Sequence, residues 1–363
     1  MSSVVAERHL IPPFFVLFIF NSMQVGVGIL GFTRNIAEDA GYDAWISVLL
    51  SGLSIAAAIG LIFSVLNKGK GDILSIHQDL FGKWFGGLLS CFFILYFLSL
   101  ALVVTRTYIE VIQVWVFPTM PTWAMAFGLL LLCFYVVTKG FRLVVGLCFI
   151  GTIISLLTLI SLLPALEFAN YRNVLPVLDH SMIDLLSGTK AMILSFLGIK
   201  LVFFYYPFIK NPEQAMKWAQ VGNIITTFTY LFIAFITFVF FSQEQLEITI
   251  WATISLWQIF EFPFLERFEY TGISLWLLVV IPNICLALWA ASRGIRLLFF
   301  FNQRRILFLL LIIVLLGAIL FQTRQQIDNL NLYVAEAGFY FVYVYIPFLW
   351  VAQRIIMKVR RRV

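Results

Sequence analysis

Two residues inside one long apolar segment have the types and spacing to carry chemistry. The segment reads SFLGIKLVFFYYPFI, and near its middle lie Gly198 and Lys200. A lysine at the centre of a membrane helix costs about 2.5–3.5 kcal/mol on insertion scales, so it requires a polar partner or a water-filled cavity. Lys200 could contact a ligand carboxylate, occupy the place of a coupling cation, or act as a proton-linked switch. Alternatively, Lys200 pairs with a carboxylate or reaches a water-filled cavity, and its role is purely structural.

A second apolar segment, the first along the chain, is also interrupted by glycine. Gly26, Gly28 and Gly31 fall at its mid-depth, close to three polar residues: Asn21, Ser22 and Gln24. Each glycine costs a helix about 1 kcal/mol relative to alanine, so local unwinding is easy. The ends of the resulting half-helices would offer N–H groups to an anion and carbonyl groups to a cation. The structural alternative is that these glycines only allow close helix packing.

Other polar residues lie in the third and eighth apolar segments. Arg106 and Glu110 are four residues apart, share one helical face and can pair. Pro282 and Asn283 fall at mid-depth of the eighth segment, where proline frees a backbone carbonyl. Asn283 then either satisfies the backbone or contacts a ligand.

The amino-acid composition predicts the kind of secondary structure on which these residues lie. The chain has 363 residues, of which 62% are hydrophobic and only 12% are charged. Soluble domains have about a quarter charged residues, so this chain is expected to be an all-α integral membrane protein. The first apolar segment is too long for a signal peptide and lacks a small-residue cleavage site.

The residues that bind metals or perform catalysis are scattered. The four cysteines lie in apolar segments and the three histidines are far apart along the sequence. We therefore expect no disulfide, no metal site and no cofactor. No motif for phosphate binding or for hydrolysis is present, so an enzyme is not expected. The net charge of +6 is explained by membrane topology, and no nucleic-acid partner is expected.

Ten membrane-spanning helices are predicted, because a span needs roughly 20 apolar residues. They lie near residues 12–33, 43–66, 85–109, 122–138, 143–163, 188–209, 216–241, 268–292, 305–321 and 337–357. Helices 1 and 6 are the interrupted ones and are five spans apart. This spacing predicts a LeuT-like, five-plus-five inverted repeat with a binding site at mid-membrane. The whole chain, 1–363, would form one domain, with repeats at about 10–163 and 184–358.

The distribution of the 24 Lys and Arg residues predicts the orientation. Most of them fall in alternate loops and at the C-terminus, which should therefore be cytoplasmic, together with the N-terminus. Few fall in the other loops: Arg34, Arg172, Lys190, Arg267 and Arg324.

Two connecting segments are predicted to have structure of their own. Residues 67–86 favour either a short amphipathic helix on the inner surface or a plain loop. Residues 248–264 favour an interfacial or re-entrant lid.

The stretch VGVGILGFTRNIAEDAGYDAWISVLLSG, residues 25–52, resembles the opening of the endospore germination permease family. That family supplies the B subunit of spore nutrient-germinant receptors and belongs to the amino acid–polyamine–organocation transporter superfamily. The resemblance implies a subunit in the spore inner membrane that recognises a small nutrient, often an amino acid, and signals the start of germination. It also implies a larger A subunit and a lipoprotein C subunit as partners.

By similarity of fold, the resemblance places the ligand at the two breaks and at the helices facing them. The implied binding residues are Gly26, Gly28, Tyr96, Leu100, Phe196, Gly198, Ile199, Ile284 and Leu288, to which we add Lys200 from its own position at the second interruption. The family often has an acidic residue at the sixth-span break, where this chain has Lys200. We therefore hypothesise a preference for ligands with a free carboxylate, which Lys200→Met should abolish. The alternatives are a proton- or sodium-coupled amino-acid transporter and an ion-conducting element of a larger complex.

Overall fold

The protein is built almost entirely from helices, as the composition predicts. A computed structural model describes residues 6–69, 71–260 and 267–360. Within these ranges it contains no β-strand beyond an isolated bridge between Ile11 and Ile209. Lys70, Arg361 and Arg362, which entered the charge count, lie outside the described residues, as does the end of the expected lid after residue 260.

The first apolar segment is interrupted where its glycines predict. Helix α1, Phe15–Gln24, is followed by extended backbone and by a 3-10 turn at Gly28–Leu30. Helix α2, Phe32–Ala40, continues on the far side. We call residues 25–31 the first break.

Four helices follow, of 17 to 43 residues each. They are α3 (Ala44–Gly69), α4 (Ile73–Trp115), α5 (Thr122–Thr138) and α6 (Phe141–Ile160). Helix α4 contains a kink at Gly82, whose φ of 79° is favourable only for glycine. Its first turns, up to the kink, form the amphipathic helix that was one of the two expectations for residues 67–86.

The second half of the chain begins with the other interrupted segment. Helix α7, Met182–Phe196, passes into a 3-10 stretch at Leu197–Leu201, which we call the second break. The short helix α8, Val202–Tyr205, follows. The axis bends by 41° between Met182–Ile193 and Gly198–Phe208. The sequence-based prediction that helix 6 is interrupted therefore agrees with the structure.

The remaining helices complete the bundle, and the last spanning segment carries an irregularity. They are α9 (Ala215–Phe240), α10 (Gln243–Ile248), α11 (Ala252–Trp257), α12 (Phe268–Phe299), α13 (Gln303–Leu320), α14 (Arg324–Tyr340) and α15 (Ile346–Arg360). A π-helical turn, Phe341–Tyr345, joins α14 to α15. Helices α10 and α11 have six residues each and do not cross a membrane, as expected for a lid.

Seven helical stretches in the described residues are long and apolar enough to span a membrane, and the bent pair around the second break brings the number to eight. Two shorter apolar helices, Phe15–Gln24 and Thr122–Thr138, lie where the first and fourth spans are predicted. The protein is therefore a multi-pass membrane protein. The total of ten spans stays a prediction.

Helix α12 is the centre of the packing. Its most apolar window is 78% buried, against 28% for the stretch Arg324–Arg360. It packs mainly on α4 and α6, while α1 packs on α9 and α3 packs on α7. A largely buried helix inside a membrane domain is surrounded mainly by protein rather than lipid, so its buried polar residues must be satisfied by neighbouring helices.

Basic residues gather at one end of the bundle, which we call the basic face. The Arg142 side chain donates to the Leu10 carbonyl at 2.7 Å. Arg293 contacts Asp72 at 3.6 Å, and Arg360 donates to the Asp79 carbonyl. At the same end, the Ile11 N–H donates to the Phe208 carbonyl at 2.8 Å, which joins the start of the first segment to the end of the sixth.

Candidate functional site

A cavity of about 510 Å³ lies between the two breaks, and we call it the central cavity. The breaks supply Gly26, Gly28 and Gly198, and α4 supplies Tyr96 and Leu100. Further lining residues come from four other helices, namely Ser195, Tyr230, Asn283 and Asn331, and from the segment before α11, namely Trp251. The volume lies within the range of roughly 300–1,000 Å³ that is typical of small-molecule sites.

Gly198 allows the two breaks to touch. A Cβ atom at this position would lie 2.5 Å from both the Cβ and the carbonyl oxygen of Met23. The backbone before the first break therefore passes directly against the second break. At Gly26 a Cβ would lie 3.0 Å from Nδ2 of Asn283, whereas at Gly28 the nearest atom would be Oγ of Ser195 at 3.9 Å. Gly28 thus faces open space in the cavity.

Side chains from surrounding elements satisfy the carbonyl groups around the first break. Tyr230 Oη donates to the Gln24 carbonyl at 2.8 Å, and Trp276 Nε1 donates to the Gly26 carbonyl at 3.2 Å. The Asn283 amide donates to the Val25 carbonyl at 3.4 Å. These bonds replace the helical ones that unwinding removes, which explains how the first break is tolerated at mid-membrane.

Three polar side-chain atoms at the cavity have no hydrogen-bond partner within the described residues. They are Oε1 of Gln24, Oη of Tyr96 and Oδ1 of Asn283, all buried. A buried polar atom without a partner costs about 1–3 kcal/mol, so such atoms in one cavity indicate that a polar ligand or water completes them. The amide nitrogen of Asn283 thus fills one of the two roles that its sequence position leaves open, since it bonds to backbone carbonyl groups. Ligand contact, the other role, stays a prediction.

Lys200 lies behind the cavity wall. Its side chain is fully buried, and Nζ lies 3.7 Å from the centroid of the Tyr96 ring and 5.4 Å from that of Phe341. Nζ donates a hydrogen bond of 3.1 Å to the Gly338 carbonyl. No carboxylate pairs with Lys200 in the part of the chain that the structure describes. One expectation from the sequence was that Lys200 pairs with a carboxylate. In the structure its amine instead contacts two aromatic rings and one backbone carbonyl.

The π-helical turn connects Lys200 with the basic face. π-Helical turns inside α-helices are rare and occur frequently at functional sites. Phe341 contacts Lys200, and Tyr343 hydrogen-bonds Ser54 of α3 at 2.7 Å. Tyr345 hydrogen-bonds Nε2 of His77 at 2.7 Å. One turn of helix thus contacts the second break, α3 and the amphipathic start of α4.

The opposite end of the central cavity is polar and charged. Arg34 donates to the Glu247 carbonyl at 2.7 Å. Arg324 pairs with Glu110 and with Asp328, each at 2.9 Å. The predicted ion pair between Arg106 and Glu110 is therefore wrong, because Glu110 pairs with Arg324. Arg106 instead donates to the Phe321 carbonyl, because α13 ends beside it and leaves that carbonyl free.

The structure divides the ten predicted site residues into two groups. Five line the central cavity: Gly26, Gly28, Tyr96, Leu100 and Gly198. The other five are buried outside its lining: Phe196, Ile199, Lys200, Ile284 and Leu288. Phe196 packs on the cavity residue Tyr230, with 5.3 Å between ring centroids. Ligand contact by any of the ten stays a prediction.

Several lining residues were missed from the sequence. Ile250 and Trp251 come from the lid, and Thr253 of α11 donates to the Ile29 carbonyl at 3.0 Å, so the lid is attached to the first break. Asn331 comes from α14, which begins earlier than the predicted tenth span. The available signal was the sequence TRQQ, where Thr323 and Gln326 form a capping box that starts this helix.

In this membrane protein, apolar segments broken at two matched places surround a central cavity. The structure of MhsT in complex with L-phenylalanine has the same overall fold, with a TM-score of 0.60 over 93% of this chain and 87% of that one. The two sequences are 15% identical. The fold is therefore the LeuT-type transporter fold.

Residues 10–327 match the profile of the spore germination protein family, and the chain belongs to this family. It is 39% identical to the spore germination protein GerQB of Bacillus cereus over 354 residues, which cover 98% of each chain. It is 30% identical to the spore germination protein YndE of Bacillus subtilis over 291 residues, 78% of this chain and 79% of the relative. The resemblance found at residues 25–52 is thereby confirmed.

Proposed function

We propose that this protein is a germinant-receptor subunit that binds a small nutrient, an amino acid, in the central cavity and signals the start of germination. The observation that carries the proposal is the cavity between the two breaks. At its wall, three buried polar atoms have no hydrogen-bond partner among the residues that the structure describes: Gln24 Oε1, Tyr96 Oη and Asn283 Oδ1. Membership of the spore germination protein family supplies the biological context.

The cavity suits an amino acid with an apolar side chain. Near the breaks its polar groups include neutral amide and phenol oxygens, whereas the charged residues Arg34, Arg324 and Asp328 line its opposite end. Its α4 wall is apolar: Leu100, Val103 and Val104. A zwitterion would place its charged groups at the breaks, where half-helix ends offer N–H and carbonyl groups, and its side chain against α4. The bound L-phenylalanine of MhsT is a ligand of this class in the same fold.

Signalling would pass from the cavity to the basic face through the π-helical turn. A ligand that contacts Tyr96 acts on Lys200 and, through it, on Phe341. Tyr345 in the same turn holds His77, at the amphipathic start of α4. Ligand binding changes an equilibrium only if the ligand binds one arrangement more tightly, and the π-helical turn is the element with a second arrangement available, a regular α-helix.

The proposal includes the topology and assembly inferred from the sequence. Ten spans would form a five-plus-five inverted repeat in one domain, which the matched breaks in the first and sixth segments support. Both termini would be cytoplasmic, with the basic face inside. The protein would reside in the spore inner membrane with an A subunit and a lipoprotein C subunit.

The second candidate function is a proton- or sodium-coupled amino-acid transporter, which the fold favours. Coupling cations in this type of fold bind to carbonyl groups of the unwound helices. Here the carbonyls of Gln24, Val25 and Gly26 accept hydrogen bonds from side chains. This occupancy supports the receptor over a cation-coupled transporter.

The two functions are separated by an experiment on spores. Spores carrying this chain as the only variable B subunit are exposed to single amino acids, and germination is measured beside uptake of the same labelled amino acids. The receptor predicts a germination response that disappears when the chain is deleted. Uptake that disappears on deletion while germination stays intact would establish the transporter instead.

A further inference from the structure

A second cavity, of about 750 Å³, opens on the basic face, and we call it the lateral cavity. It lies between the end of α5, the α5–α6 turn, the start of α13 and Trp289 of α12. The residues that matter here are Leu131, Phe134, Lys139, Gly140, Arg304 and Leu307. It shares no lining residue with the central cavity, so the proposed nutrient site does not explain it.

Two basic side chains face the lateral cavity without an acidic partner. Lys139 Nζ lies 5.3 Å from the ring centroid of Tyr135, and Arg304 Cζ lies 5.8 Å from that of Phe134. Within the described ranges, neither side chain takes part in an ion pair or donates a hydrogen bond. Two cations that share a cavity repel each other, so an anion between them would be stabilised by both.

Three other basic residues of the same face form ion pairs or hydrogen bonds. Arg293 pairs with Asp72, Lys210 pairs with Glu7, and Arg142 donates to the Leu10 carbonyl. Within the described residues Lys139 and Arg304 lack such partners, as do the exposed side chains of Arg8 and Lys83. Lys139 and Arg304 differ from that pair in lining one and the same cavity.

The turn between α5 and α6 leaves the lateral cavity open. Gly140 has a φ of 106°, a conformation that favours glycine, and a Cβ atom there would have no neighbour within 4 Å. Because residue 140 is a glycine, no side chain fills this part of the lateral cavity, between Lys139 and the start of α6.

An apolar surface continues from the lateral cavity along α5 and α13. Leu131 lines the cavity and is 57% exposed, and Phe308, next to the lining residue Leu307, is also 57% exposed. On a helix of a membrane domain, such exposed apolar residues face lipid chains. The lateral cavity thus combines cations at the level of the headgroups with an apolar path into the bilayer.

We propose that the lateral cavity binds the phosphate headgroup of an anionic phospholipid, held by Lys139 and Arg304, with an acyl chain lying along Leu131 and Phe308. Basic pockets between membrane helices on the cytoplasmic side bind anionic headgroups by this combination. A free phosphate ion would use the two cations but would gain nothing from the apolar wall. The lipid would bridge α5 and α13, the two helices that supply the basic side chains.

The test counts lipids bound to the purified full-length chain by native mass spectrometry. The chain is reconstituted into vesicles of equal parts phosphatidylcholine and phosphatidylglycerol and then extracted. The variant Lys139→Gln with Arg304→Gln is compared with Arg8→Gln with Lys83→Gln, which removes the same charges from exposed positions of the same face. Thermal unfolding of each variant verifies the fold, and the single variants Lys139→Gln and Arg304→Gln repeat the test if the double variant unfolds.

The wild type and the control variant should retain phosphatidylglycerol in preference to phosphatidylcholine. The lateral-cavity variant should lose roughly thirtyfold in this retention, since it removes two basic residues that hold the headgroup and contribute about 1 kcal/mol each. Equal retention by all three proteins would overturn the proposal. Displacement of the lipid by inorganic phosphate, with phosphate binding equally in pure phosphatidylcholine vesicles, would also overturn it and define a site for free anions.

Discussion

Tyr96 and Lys200 are in direct contact, with Nζ of the lysine 3.7 Å from the centroid of the tyrosine ring, but only Tyr96 lines the central cavity. The phenol oxygen is buried and has no partner within the described residues, while the Lys200 amine donates to Gly338 on the opposite side. In this structure Lys200 contacts a residue of the cavity wall but does not line the cavity itself. We therefore predict that it influences a bound ligand through Tyr96.

Lys200→Met should raise the half-maximal nutrient concentration for germination by roughly three- to tenfold, the effect of losing one net hydrogen bond of about 0.5–1.5 kcal/mol. Lys190→Met is the matched control, because Lys190 lies on α7 but is exposed, with Nζ 5.8 Å from the Phe339 ring centroid. The measurement is a dose response with and without a free carboxylate on the nutrient. Complete loss for carboxylate-bearing nutrients alone would instead establish direct contact between Lys200 and the carboxylate.

Gly198→Ala should destabilise the protein by about 1–3 kcal/mol and impair the nutrient response, because the added methyl group would overlap Met23 at the contact of the two breaks. Gly128→Ala is the control, since a Cβ at that position has no neighbour within 4 Å. Thermal unfolding of the purified proteins and germination of spores are compared. Normal stability and normal response in Gly198→Ala would show that the breaks do not need this close approach.

The nutrient response should not depend on sodium. The Asn283 amide donates to the carbonyls of Val25 and Val279 at 3.4 Å each, where a cation would otherwise have ligands. Exchange of sodium for choline at constant ionic strength should leave the dose response of the wild type unchanged. Asn283→Asp removes the donors and adds a carboxylate, so its response should be lost or should require a cation. A wild-type response that requires sodium would contradict this account and favour the coupled transporter.

Tyr345→Phe should reduce the maximal germination rate while leaving the half-maximal nutrient concentration nearly unchanged. The substitution removes only the hydroxyl that bonds Nε2 of His77, far from the central cavity. Tyr340→Phe, at an exposed position of α14, serves as the control. If the half-maximal concentration shifts and the maximal rate does not, the π-helical turn affects binding rather than signalling.

The interrupted helices could be predicted from the sequence because the cost of glycine in a helix is local. Gly26 and Gly28 mark the first break and Gly198 marks the second, and all three line the central cavity. The all-helical membrane fold followed from composition alone. The lid could be recognised as non-spanning from its length.

The rest depended on tertiary contacts that no local pattern encodes. The π-helical turn at Phe341–Tyr345 contains neither glycine nor proline, so nothing in its sequence marks it. The position of Lys200 behind Tyr96 depends on how α4 packs on the second break. Glu110 was assigned to Arg106 by helical spacing, but Arg324 reaches it from α14, which is distant in sequence.

The most direct test of the central claim is to fill the central cavity. Gly28 faces its open space, so Gly28→Leu should occupy the proposed nutrient site without displacing backbone, and Gly128→Leu adds the same side chain at an open position of α5. Both variants are expressed in spores that carry this chain as the only variable B subunit, and their amounts are measured by immunoblot. We expect the nutrient response to disappear in Gly28→Leu and to persist in Gly128→Leu at equal protein levels. An unchanged dose response in Gly28→Leu would contradict the claim that the nutrient binds in this cavity.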